Sequence, residues 1–97
     1  MSVNKKLIEA LIRLEPADDP DESLKRLLLD KIRGELRKYD VIRQDFEKKY
    51  KMEFFAFKES GLMKEPTYEV EQDYFDWELA ITRIDELREE LQRLSNN

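Results

Sequence analysis

Residues 21–50 read DESLKRLLLDKIRGELRKYDVIRQDFEKKY, and the spacing of their apolar side chains decides the fold. Leu29, Ile32, Leu36, Tyr39, Phe46 and Tyr50 follow alternating three- and four-residue steps, the stripe of a helix that packs along its length. Arg43 stands where one further apolar residue is due. A second stripe of Leu24, Leu27, Leu28, Val41 and Ile42 gives this helix two neighbours. At 1.5 Å per residue the segment is about 45 Å long. Gly34 inside it costs about 1 kcal/mol relative to Ala, and tolerance rather than close packing is the expected reason for its presence.

C-terminal to this segment, Met52, Phe54, Phe55 and Phe57 make an aromatic cluster on a short helix over about 53–60, with Gly61 as its expected C-cap. Phe54 and Phe57 share a side at three-residue spacing, whereas Phe55 turns away by about 100° and is expected to be exposed. A linker containing Pro66 leads to the last helix, about 71–94. Its stripe, Val70, Trp77, Ala80, Ile84, Leu87, Leu91 and Leu94, is broken once by Asp73. N-terminal to the long helix, Glu15 to Pro20 reads as a loop, and about 3–14 as an amphipathic helix carrying Leu7, Ile8, Leu11 and Ile12 on one face.

Charge joins the two long segments. Residues 21–51 carry ten basic and seven acidic side chains, net +3, whereas residues 52–97 carry five basic and twelve acidic, net −7. An antiparallel hairpin therefore lays a basic helix against an acidic one. Matching Tyr50 with about Gln72 brings Leu94 opposite Leu28, so the two stripes have similar lengths. The expected architecture is all-α: a long helical hairpin (21–50 with 71–94), an aromatic cap of Tyr50, Phe54, Phe57 and Trp77 at its closed end, and the N-terminal helix beside it. Residues 1–97 read as one domain, with 1–20 as a candidate semi-independent arm.

Composition removes most chemistries. The chain has no Cys and no His, which excludes disulfides, thiol or imidazole catalysis and Cys/His metal sites. Its longest unbroken apolar run, Leu27 to Leu29, is far short of the roughly 20 residues of a membrane span. A cytoplasmic protein that does not enter membranes is the expectation, and no cofactor is implied. The basic block Arg33, Arg37, Lys38, Lys48, Lys49 and Lys51 is interrupted by acids, and the net charge of −5 opposes nucleic-acid binding, so direct contact with nucleic acid is not expected.

Two polar constellations carry alternatives. Arg43 and Asp73 interrupt their respective stripes near the same end of the hairpin, which suggests an ion pair of Arg43 with Asp73 or Asp76, against the alternative of an arginine stem on the core with its head in water. Asp73 and Asp76 at helix-neighbour spacing would suit Mg²⁺ or Mn²⁺ in a nucleotide hydrolase, but no second matched pair accompanies them, and a helix start favoured by negative charge accounts for the cluster. No catalytic or metal-binding residue is assigned.

The stretches KKYKMEFFAF (48–57) and YEVEQDYFDWE (68–78) resemble a family of small all-helical prokaryotic proteins encoded beside toxin-like genes and treated as antitoxins of toxin–antitoxin pairs, including TumE-type neighbourhoods. The resemblance covers about residues 30–94 and rests on Tyr50, Met52, Phe54, Phe57, Asp73 and the Asp76-Trp77-Glu78 triplet; it departs at Phe55, where a polar residue is expected. It implies a protein that is no enzyme and that binds and neutralises a protein partner. The partner-interface candidates are Leu7, Ile8, Leu11, Ile12 and Phe55. A homodimeric adaptor is the alternative, and a carboxylate-metal nucleotide hydrolase the third reading.

Overall fold

The computed structural model describes residues 5–14 and 20–96, the side chains of Leu11, Ile12 and Leu14 excepted. Helices α1 (Lys5–Leu14), α2 (Pro20–Tyr50), α3 (Phe54–Lys58) and α4 (Tyr68–Ser95) follow one another, with a 3₁₀ turn at Gly61–Met63 and no strand among the described residues. The molecule measures 57 × 25 × 24 Å and has a radius of gyration of 18.9 Å. A compact chain of this length would have about 13 Å, so the hairpin is a rod whose length is set by α2.

Helices α2 and α4 run antiparallel along nearly their whole length, α1 lies against α2, and α3 closes the end against α4. The register agrees with the sequence to within a residue. Tyr50 meets Asp73, Phe46 stacks on Trp77, and Arg83 approaches the Tyr39 ring at 5.8 Å. Leu28 and Leu94 line one groove at the open end. The buried apolar residues, Ile32, Phe54, Phe57, Trp77, Ala80, Ile84 and Leu87, form a narrow seam that widens only at the aromatic end.

Local sequence sets the helix ends, with two departures from expectation. Helix α4 begins at Tyr68, about three residues earlier than expected, because the Thr67 hydroxyl accepts a hydrogen bond from the Val70 amide at 3.2 Å. Glu69 and Glu71 then sit in the positive first turn. Gly61 does not cap α3. That helix stops at Lys58, and Gly61, without positive φ, opens the 3₁₀ turn instead.

The left-handed residue is Lys51, with φ of 56°, directly after α2. Its Cβ makes that conformation costly where glycine would adopt it freely. Lys51→Gly is therefore expected to raise stability by about 1 kcal/mol in urea denaturation. A decrease would show that the lysine contributes more than its backbone costs.

Gly34 is half-buried, and a Cβ added there would meet only the Arg37 Nη2 atom, at 3.8 Å. Nothing packs closely enough to require glycine. Gly34→Ala is expected to stabilise α2 by about 0.5–1 kcal/mol, read as a higher melting temperature.

Candidate functional site

The closed end gathers the aromatic residues. Tyr50, the last residue of α2, and Phe46 one turn earlier put their rings on the indole of Trp77, with centroids 6.0 and 5.5 Å away. From α3, Phe54 and Phe57 reach the same indole at 5.5 and 5.0 Å. Phe57 and Trp77 are fully buried. The Trp77 Nε1–H finds no acceptor among the described residues, so the indole is held by packing and not by a hydrogen bond.

A polar clasp borders this cluster. Lys49 Nζ lies 2.6 Å from Asp73 Oδ2 and 2.7 Å from Glu69 Oε1, and the Tyr50 hydroxyl donates to the same Asp73 oxygen. Asp73 is mostly buried, with 15% of its side chain exposed, whereas Glu69 stands in water. Burial pushes the Asp73 carboxyl up, but the hydrogen bonds from Lys49 and Tyr50 outweigh it and hold the group below its ordinary value. Burial, and then the bond to Asp73, pushes the Tyr50 phenol up to about 12.

The clasp corrects one expectation. Arg43 does not pair with Asp73 or Asp76. It binds within its own helix, to Asp40 at 2.8 Å and to Glu47. The register places it near the small, buried Ala80 of α4, about two turns from Asp73, while Asp76 lies on the exposed outer side of α4. Arg43 raises its own charge stability through that local pairing, and Asp40 is held below its ordinary value chiefly by the arginine hydrogen bond. Asp76 is exposed. Sequence reasoning missed Lys49 as the partner of Asp73, although the Tyr50-to-Gln72 match already set that end of α2 beside it.

Among the described residues, no three carboxylates come together in a geometry suited to a metal ion, and the inward oxygen of Asp73 is taken by Lys49 and Tyr50. Among the described residues, open grooves line the hairpin. One, of about 200 Å³, is formed by Arg43, Glu47, Glu53, Phe54, Phe55 and Ile81. None is enclosed.

The outer surface is the more informative. Tyr68, Phe75 and Leu79 of α4 are 80, 52 and 55% exposed. Their seven- and four-residue spacing puts them on one face, turned away from the face that holds Trp77, Ala80 and Ile84. Phe55, 72% exposed, is linked to Phe75 by ring contacts through buried Phe54 and half-buried Tyr74, each ring centroid within 6.0 Å of the next. Of the N-terminal interface candidates, Leu7 is 64% exposed and Ile8 half-buried on a helix that lies against α2. The side chains of Leu11 and Ile12 lie outside the described residues. No helix among the described residues is long and apolar enough to cross a membrane.

No family model, curated protein or solved structure matches this chain.

Proposed function

We propose that this chain is a non-enzymatic protein-binding module that acts, in the manner of an antitoxin, by engaging and neutralising a partner protein in the cytoplasm. The observation that supports this reading best is the exposed apolar stripe Tyr68, Phe75 and Leu79, on a helix whose opposite face is already occupied by α2. Three large apolar side chains this open and aligned on one face are the kind of grouping that serves as an interaction surface. The resemblance to antitoxin-type proteins names the kind of partner, a toxin-like protein encoded alongside.

Co-expression with the neighbouring gene product tests this. The expected result is a complex that survives size-exclusion chromatography, together with relief of any growth arrest the neighbour causes alone. Failure of both would overturn the proposal. A second reading, a homodimeric adaptor, draws on the heptad-like spacing of the same stripe, which two copies would use to pack on each other. Light scattering on the purified chain separates the two, because only the adaptor is a dimer without a partner.

A further inference from the structure

The charges around the α4 stripe identify what docks on it. Between Tyr68 and Leu79 the chain has five acidic side chains and no basic one, and from Met52 to Leu79 eight acidic against two basic. Glu69 and Asp73 of the first group are held by Lys49. Glu71, Asp76 and Glu78 are left, and helical stepping of 100° per residue sets Glu71 and Glu78 along one border of the stripe and Asp76 along the other. Neither Glu71 nor Asp76 has an ion-pair partner among the described residues, and Glu78 only accepts a hydrogen bond from the Tyr74 hydroxyl. The stripe is thus a strip between two acidic rails, apolar except where exposed Gln72 lies between Tyr68 and Phe75, and about 16 Å long at 1.5 Å per residue.

We propose that the outer face of α4 is the docking surface for a basic amphipathic helix of the partner, whose apolar side chains cover Tyr68, Phe75 and Leu79 and whose Lys or Arg residues meet Glu71, Asp76 and Glu78. This rests on the partner-binding reading and specifies its surface and its chemistry. A second copy of the chain fits the apolar strip but not the rails. Two-fold packing of α4 on α4 brings like-charged borders together, and that repulsion disfavours self-association. A helix with apolar residues at three- and four-residue steps and cationic flanks satisfies strip and rails together.

The experiment uses the full chain and two labelled helical peptides of about five turns, identical in their leucine stripe, one flanked by lysine and the other by glutamate. Fluorescence anisotropy at low salt is expected to show the lysine peptide bound about tenfold or more tightly than its glutamate twin, with the advantage shrinking as salt rises. Phe75→Ser with Leu79→Ser is expected to weaken the lysine peptide about tenfold or more, while Val41→Ser, at an exposed site on α2, leaves it unchanged. The three sites are half-exposed, so melting curves are expected to stay close to wild type and to report that each variant is folded.

Equal binding of both peptides overturns the proposal, as does binding that ignores the double substitution. A dimer of the chain alone that the double substitution dissociates also overturns it, in favour of a second copy. A natural partner that still co-purifies with the Phe75→Ser/Leu79→Ser variant overturns this surface and leaves the partner-binding reading standing. The expected peptide result with no neighbour complex formed supports the surface and overturns the antitoxin-like reading.

Discussion

Trp77→Ala is expected to remove about 3–5 kcal/mol, a large share of the stability of a domain this size. The indole is fully buried and touched by four rings, Phe46, Tyr50, Phe54 and Phe57, from two other helices. Helices α2, α3 and α4 all meet on it. Elsewhere the core is a single seam, so no neighbouring layer can collapse into the cavity. Domains of this size have only about 5–15 kcal/mol in all. Trp77→Phe makes the sharper comparison. It keeps an aromatic ring at the centre and deletes the Nε1–H that has no acceptor, so its cost is expected to be less than half that of the alanine variant. Urea titration followed by circular dichroism measures both, since Trp77 is the only tryptophan and both variants lose its fluorescence. Equal losses for Phe and Ala would mean that the ring contacts do not hold the closed end.

The second large effect belongs to Asp73. Its carboxylate accepts from Lys49 and from the Tyr50 hydroxyl, in a site mostly closed to water. Asp73→Ala removes two charge-assisted bonds and leaves the half-buried phenol without its acceptor, at a cost of about 2 kcal/mol. Loss of Glu69, which stands in water, is expected to cost under about 0.5 kcal/mol.

The pH dependence follows from the same contacts. The folded carboxyl titrates below its ordinary value, so its contribution is complete above about pH 4 and is lost as pH falls through the lowered value. The phenol is raised from 10 to about 12, so its contribution is complete below pH 10 and is lost between pH 10 and about 12. Asp73→Asn is expected to flatten the acid limb of the stability curve and to move the late phenolate titration of Tyr50 back toward 10. An unchanged titration in that variant would show that Asp73 does not hold the phenol.

The hairpin was legible in the sequence because two long helices with matched apolar stripes have few other ways to bury them. The register followed from stripe length alone, and the aromatic cap from local three-residue spacing. What remained hidden depends on three-dimensional neighbours. Arg43 and Asp73 look alike as breaks in two stripes, yet about two helical turns separate Arg43 from the level of Asp73, and an arginine on a helix has acids within reach at i−3 and i+4. Gly61 follows an aromatic run as a cap would, but a 3₁₀ turn uses it, and Lys51 takes the left-handed position that no apolar pattern marks. The outer stripe of α4 was masked by the stronger one on its other face: a search for the most apolar face finds Trp77 and Ile84, and stops before Tyr68, Phe75 and Leu79.

That outer stripe carries the functional account, and its use can be read residue by residue. Backbone amide shifts of the isotope-labelled chain, followed by NMR during titration with the lysine-flanked peptide, are expected to change most at Tyr68, Glu71, Phe75, Asp76 and Leu79, with little change along α1. Shifts concentrated on Leu7 and Ile8 of α1, or spread evenly over the molecule, would contradict it.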